Sequence, residues 1–464
     1  MLLKRIQAKG TVLAFILLVG QSSFGQTEVR KDSATIGWTL EQCIRYALEN
    51  NLSVKSQDLG LKVQENNYKA SKYGLLPSVS ADASQSTTFG RALDQTQYKY
   101  VDQTVNYTNG SINANLVLFD GLQKQNTIRK NRYDFLAATS EFEKLKNDIS
   151  LNITAAYLQI LLDEELCRVN ENQLALTREQ VDQTRKLVDA GKVVQGNLLD
   201  IQAQEAAEEL QVVNSRNTLD LAKLQLIQLL DLKDTSFRVV LPDLNGFEIA
   251  SVVSDLNAVY PVAEANLPQI KSAQFKAESA KTAIRIAQGQ HYPQLSFSAS
   301  YGSSYSDIRE RIRIENGAPI TEKYPFLDQM KDNKNVGIYF RLSIPIFSGF
   351  STRFNISNSK ANYQRAMIAL QVEKNTLYKE IQQASSDAVA SYKRFAASSK
   401  SVETLSLSFK YTQDRFNLGL INSLEYNTAK NKLAKAQSDL LQARYEYIFK
   451  SKILDFYKGN PIKL

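Results

Sequence analysis

The sequence predicts a mainly α protein with β-strands patterned for a membrane barrel, built as a duplicated helix, β-hairpin, long helix, helix unit. Three observations predict it. Two stretches, 122–189 and 350–417, contain neither proline nor glycine and are dominated by Ala, Leu, Gln, Glu, Lys and Asn. Four shorter segments alternate apolar and polar residues with a period of two. The order of these landmarks is stated twice along the chain.

The N-terminus comes first. Lys4, Arg5 and Lys9 precede an apolar core from Val12 to Val19 and the small-residue stretch Ser22-Ser23-Phe24-Gly25. This reads as a secretory signal peptide over 1–25, so the mature chain leaves the cytoplasm. Its apolar core is too short to span a membrane, and no later run approaches the ~20 apolar residues of a transmembrane helix. A membrane crossing therefore has to use β-strands.

In the first copy, 26–251, a helix of about 35 residues opens at Thr39, a capping residue with Gln42 three positions on, and stops before Gly74 and Pro77. Strands follow at about 77–90 and 107–120, then the long helix at about 122–189, a turn at Gly191 and another helix. The second copy, 252–464, repeats the plan. A helix from about Val252 to Gln288 is stopped by Gly289 and Pro293, strands lie at about 293–306 and 334–348, and the long helix at about 350–417 ends before Gly419. Ala47-Leu48-Glu49-Asn50-Asn51-Leu52 returns as Val262-Ala263-Glu264-Ala265-Asn266-Leu267, and Pro77 returns as Pro293, 216 residues on. Gly121 and Gly349, then Gly191 and Gly419, are 228 residues apart, so the twelve extra residues of copy two lie between Pro293 and Phe347. The segment Asp231 to Ser251, with Leu241-Pro242, reads as a strap joining the copies around the helices.

A helix of about 68 residues is roughly 100 Å long and needs partners along its whole length. Its apolar stripe is narrow: Leu145, Ile149, Ile153, Ala156 and Ile160 in copy one, Ala384, Ala388 and Ser391 with Tyr392 in copy two. Narrow seams with polar surface on both sides suit a wall one helix thick. An ordinary antiparallel coiled-coil bundle shares that periodicity.

The strands separate the two readings. Leu295, Phe297, Ala299 and Tyr301 alternate with Ser296, Ser298 and Ser300, and Ile338, Phe340, Leu342, Ile344 and Ile346 alternate with Tyr339, Arg341 and Ser343. Ile112, Ala114, Leu116 and Leu118 alternate with Asn113, Asn115 and Val117, and Val79, Ala81 and Ala83 with Ser80, Asp82 and Ser84. Such segments suit a barrel with lipid outside and water inside, and Tyr98, Tyr107, Phe119, Tyr324 and Phe347 suit interfacial girdles. Four strands leave open edges while closed barrels need about eight, so the barrel has to be shared between chains. The connections Arg91 to Asn106 and Asp307 to Asn333 read as long polar outer loops.

The duplicated plan, the Leu-Pro and Tyr-Pro strand starts, the Phe-Asp-Gly and Phe-Ser-Gly strand ends and the Gly-x-x-x-x-x-Glu turn from Gly419 to Glu425 together resemble the TolC-type outer-membrane efflux proteins, over roughly residues 38 to 458. The resemblance implies a homotrimer in which each chain gives four strands to a barrel of twelve and its helices to a periplasmic α-barrel. It implies a periplasmic adaptor (a membrane fusion protein) and an inner-membrane transporter as partners, with outer-membrane lipid around the barrel. Ala190-Gly191-Lys192 and Leu418-Gly419-Leu420 correspond to periplasmic tips that contact the adaptor; glycine there also has the plain role of ending a helix in the left-handed conformation. Glu425 corresponds to a pore-constriction acid, and Asp200 to its counterpart in copy one, displaced by two extra residues before Ala203. A tyrosine, an arginine and a second acid of the family's gate correspond here to Phe416, Ile421 and Thr428, so that lock does not carry over, and a tip held by packing is expected.

Other function classes find little support. The formal net charge of +8, three of it from the leader, is too small and scattered for nucleic acid. The sole histidine, His291, stands at a strand start, and no phosphate loop or catalytic cluster recurs, so no enzyme, metal or cofactor is expected. Cys43 and Cys167 form no spaced motif; two buried, unpaired thiols are the simpler expectation, with a disulfide between them left open. An exported coiled-coil scaffold or adaptor remains the alternative to a duct, and drug efflux, metal efflux and type I secretion all remain open as the duct's task.

Overall fold

The computed structural model describes residues 37–94, 98–102, 104–233, 237–240 and 256–460; the leader expected at 1–25 and the linker around Leu241-Pro242 lie outside them. The first copy contains α1 (Leu40–Asn50), α2 (Leu52–Tyr73), β1 (Ser78–Thr88), β2 (Arg91–Asp94), β3 (Lys99–Asp102), β4 (Val105–Phe119), α3 (Gln123–Asp189) and α4 (Gln195–Leu229). The second contains α5 (Leu256–Asn266), α6 (Pro268–Gly289), β5 (Gln294–Ser306), β6 (Glu310–Glu315), β7 (Ala318–Lys323), α7 (Phe326–Asp332), β8 (Asn335–Ser343), α8 (Ser351–Asn417) and α9 (Ser423–Tyr457).

The capping box at Thr39 and Gln42 is formed. The helix expected to run unbroken to Gly74 is instead divided at Asn51, whose side chain accepts from the Ser53 and Val54 amides and caps α2. Tertiary bonds hold the break open: Asn51 Nδ2 donates to the Leu229 carbonyl at 3.0 Å, and the Leu52 amide donates to Asp231 at 3.0 Å. In copy two the break falls at Leu267, because Pro268 lacks an N–H and opens α6 at its first position.

The four long strands form one antiparallel sheet in the order β1-β4-β5-β8. The register brings the apolar alternation together on one face: Val79 opposes Ala114, Ala81 opposes Ile112, Leu116 opposes Phe297, Phe297 opposes Phe340 and Tyr301 opposes Val336. The other face carries Asn113 opposite Ser300, Asn115 opposite Ser298 and Ser296 opposite Arg341, with Ser298 Oγ donating to Asn115 Oδ1 at 2.9 Å. β8 stops at Ser343 and not near 348, since Pro345 cannot donate to a ladder and β5, its partner, begins only at Gln294. The outer connections are also more structured than polar loops: β2 pairs with β3, β6 pairs with β7, and α7 folds back onto β5.

At each strand-to-helix junction two successive residues are left-handed, Gly121 with Leu122 and Gly349 with Phe350. At Gly121 glycine is needed twice over, because a Cβ there would also run into the Gly289 carbonyl. Beyond the junctions the helices lie side by side. Near the sheet the series is α2, α3, α6, α8; at the far end it is α4, α3, α9, α8. The wall is one helix thick, and its main core lies at mid-height, where Leu40 and Ala47 of α1 meet Ile153, Tyr157 and Leu161 of α3, Leu226 of α4 and Ile448 of α9. The described end of the linker packs there too: Tyr157 Oη donates to the Val240 carbonyl at 2.6 Å, and Trp38 bridges Val239. A smaller cluster joins Val259 and Ile270 to Leu377 and Ile381 of α8. Both cysteines are free and buried, and burial pushes the Cys43 thiol up to about 12.

Candidate functional site at the hairpin tips

The α3–α4 and α8–α9 hairpins end in turns at the pole opposite the sheet, with the same backbone geometry at both. Gly191 (φ 66°) and Gly419 (φ 74°) are left-handed, and a Cβ at either would meet nothing within 4 Å, so the backbone conformation and not crowding asks for glycine. The amide after each glycine closes the helix end: Lys192 donates to the Leu187 carbonyl and Leu420 to the Arg415 carbonyl, both at 2.9 Å. Ala190 and Lys192 are exposed, as are Leu418 at 74% and Leu420 at 66%.

Asn422 caps α9, its Oδ1 accepting from the Glu425 amide at 2.9 Å, which makes Glu425 the third helical residue and sets its carboxylate beside the positive helix end. Across the turn Arg415 Nη1 stands 3.5 Å from Glu425 Oε1, an exposed ion pair. Asp200, also exposed, lies elsewhere. Val194 caps α4 three residues after Gly191, the same spacing as Asn422 after Gly419, so the position matching Glu425 is Asn197 and Asp200 lies about one turn deeper. α4 and α9 are both 35 residues long and both begin and end at the same 228-residue offset as the turn glycines, so α4 carries no extra residues and Asp200 matches Thr428.

Behind the turn, Phe416 packs on Tyr426 with ring centroids 4.6 Å apart, and Phe409 packs on the same ring at 5.4 Å. Thr428 bonds its own helix, Oγ1 donating to the Leu424 carbonyl at 2.7 Å. One turn on from Tyr426, Lys430 enters the junction between the hairpins. Its ammonium donates to the Gln173 carbonyl at 3.2 Å, to Glu208 Oε1 at 3.3 Å and to Thr177 Oγ1, while Thr177 Oγ1 donates to Glu208 Oε2. Lys430 and Glu208 side chains are 3% and 9% exposed. Burial lowers the Lys430 pKa from its usual value and Glu208 opposes the shift. Higher up, Tyr445 Oη donates to Glu165 at 2.8 Å, a second polar link from α9 to α3.

Arg415, Tyr426 and Lys430 escaped the sequence reading. Two signals were present: a cation in the last turn of one helix facing an acid in the first turn of the next, and a lysine four residues after a tyrosine on an otherwise small, buried face. Among the described residues no group of three His, Cys, Asp or Glu is placed to hold a metal ion, and no helix is long and apolar enough to cross a membrane.

A four-stranded sheet with one lipid-type face, continued by a helical wall ending in glycine turns, defines a channel subunit of the outer membrane. The chain belongs to the outer membrane efflux protein family, whose profile matches residues 43–231 and 259–459. It is similar to the outer membrane efflux protein BepC of Brucella suis, 22% identical over 449 residues that cover 96% of this chain and 88% of BepC. Similarity extends to the outer membrane protein TolC of Escherichia coli, 24% identical over 305 residues, covering 64% of this chain and 58% of TolC. The fold is that of solved channels, among them CusC (TM-score 0.77, 15% identity, 91% of this chain and 92% of that one) and VceC of Vibrio cholerae (TM-score 0.73, 17% identity, 91% and 97%). The protein is an efflux channel of the outer membrane and not an enzyme.

Proposed function

We propose that three copies of this chain close into one duct, a twelve-stranded barrel continued by a helical tunnel, which gives passive exit to substrates delivered by an inner-membrane transporter through a periplasmic adaptor. The observation that carries this reading is that both layers are open at both edges of the single chain. β1 and β8 each pair on one side only. The helices at the edges of the wall expose apolar residues at helical spacing: Leu52, Leu59 and Val63 on α2, Leu210 and Val213 on α4, Ile368 and Val372 on α8. Unpaired strand edges and apolar seams at the same two edges are what a second and third copy would cover.

The tips then acquire roles. Ala190, Gly191 and Lys192 with Leu418, Gly419 and Leu420 present small residues, one exposed cation and two exposed leucines to the adaptor. Glu425, repeated three times around the axis, gives a ring of carboxylates whose field favours cations, moderated by Arg415; Asp200 forms a second, higher acidic position. Relatives named for drug and toxin export and for alkaline protease secretion support both efflux and type I secretion as classes of task.

The test is to fractionate cell envelopes and run the mature protein unheated in mild detergent. A trimer in the outer-membrane fraction that conducts ions in planar bilayers is expected. A monomer in that fraction, without conductance, would overturn the shared duct.

A further inference from the structure

Among the described residues α7 has no counterpart in copy one, and it does more than close a loop. β8 begins at Asn335, opposite Gly302, so residues 303–306 of β5 have no strand on that side. α7 takes the place of the missing strand. The Gln329 side chain, fully buried, accepts from the Ser306 amide at 3.0 Å and donates to the Ser306 carbonyl at 2.8 Å, as a paired strand would. Asn333 Nδ2 donates to the Ser304 carbonyl, and Ser303 Oγ donates to the Met330 carbonyl, both at 2.6 Å. Seven residues would not hold a helix alone in water; these bonds hold it.

The face on which it lies follows from the alternation of the strand. Ser303 and Tyr305 are on the same side of β5 as Phe297 and Tyr301, the apolar side. Tyr305 packs on Phe326 with centroids 4.9 Å apart, and the Met330 methyl lies over Gly110 of β4 on that same side. Leu295 to Tyr305 spans about the 9–11 residues of a tilted membrane strand, which sets α7 at the outer boundary of the lipid-facing band. Bound here by its buried side, the helix leaves Leu327 77% exposed, with exposed Lys331 one turn on and exposed Lys334 just past its end.

We infer that α7 is an interfacial anchor: Leu327 enters the acyl boundary of the outer leaflet while Lys331 and Lys334 meet the phosphates of its lipid headgroups. The inference rests on the barrel reading above, because the apolar face must be the outer one. The two acids of the helix are already engaged, Asp328 with Arg311 Nη1 at 3.1 Å and Asp332 with the Tyr324 hydroxyl. Exposed Leu327 with Lys331 and Lys334, continuous with a lipid-facing sheet, therefore match the two chemistries met in order at a membrane surface. No such element is needed to line the pore, whose walls are the Ser and Asn face.

The experiment places tryptophan at Leu327 or, separately, at Phe340 on the apolar sheet face, in the full mature chain reconstituted in vesicles of phosphatidylethanolamine and phosphatidylglycerol. The native Trp38, packed among the helices, serves as the common background. Brominated acyl chains should quench both new tryptophans, and iodide should quench neither strongly. Lys331→Glu with Lys334→Glu should at least halve the quenching in Leu327→Trp when phosphatidylglycerol is present and change nothing in Phe340→Trp. Quenching at Phe340→Trp but only iodide quenching at Leu327→Trp would overturn the anchor and leave the barrel standing. Absence of bromolipid quenching at both would overturn the barrel reading itself. Unchanged quenching after the charge reversals would remove the lysines from the anchor.

Discussion

Arg415 and Glu425 face each other across the turn of the second hairpin, 3.5 Å apart, so the acid proposed for the constriction carries its own counter-charge. Both side chains are more than half exposed, so the pair contributes under about 1 kcal/mol to stability and acts mainly on the field at the tip. In planar bilayers under a salt gradient, Glu425→Ala should lower cation selectivity and Arg415→Ala should raise it, each with wild-type trimer yield. Equal reversal potentials in all three proteins would show that this turn does not line the constriction.

The buried pair of Lys430 and Glu208 makes the opposite prediction. Removing one partner leaves an uncompensated charge, so Lys430→Met should cost about 3 to 5 kcal/mol of helical stability, measured by urea unfolding followed in the far ultraviolet. Lys430→Met combined with Glu208→Met should recover most of that loss. A double variant as unstable as the single one would show that the two groups are not coupled.

Asp163 gives a pH-dependent case. Burial raises its pKa above the usual 3.8, against a hydrogen bond from Gln159, and Oδ2 has no partner. Below pH 3.8 folded and unfolded chains both carry the proton, and the group is neutral to stability. As pH rises from there to the folded value, the unfolded chain loses its proton first, so stability falls. Asp163→Asn should therefore raise the melting temperature at pH 7 and have little effect near pH 3. A gain of the same size at both pH values would trace it to packing and not to charge.

The turn glycines separate conformation from crowding. Gly419→Ala should cost about 1 to 2 kcal/mol, the strain of a left-handed alanine, without loss of the trimer. Gly121→Ala should be worse, since the added methyl also meets the Gly289 carbonyl, and should lower the yield of folded protein in the outer membrane.

An edge substitution tests the assembly. Leu210→Asp with Val213→Asp places two charges on the exposed seam of α4. Helix content should be unchanged while the unheated gel shifts from trimer to monomer; a persistent trimer would mean that this seam faces water.

How far the sequence could be read follows from the range of each interaction. The two 67-residue helices, the alternation at Phe297 and Phe340 and the turns at Gly191 and Gly419 rest on local rules: absence of breakers, a side-chain period, a left-handed backbone. Those rules act over a few residues and are written in order along the chain. The break at Asn51 depended on Leu229 and Asp231, some 180 positions away, and the early end of β8 on where β5 begins. Likewise the position matching Glu425 is Asn197 and not Asp200, because the resemblance of Ala203 to Ala429 suggested two extra residues where the helix ends, fixed by packing, keep one constant offset. Only the tertiary structure decided that Lys430 is buried against Glu208, that Arg415 meets Glu425 and that α7 lies on the apolar side of β5. Each brings together groups from different elements, and what those groups do depends on the water they lose and the partner they gain when the elements pack.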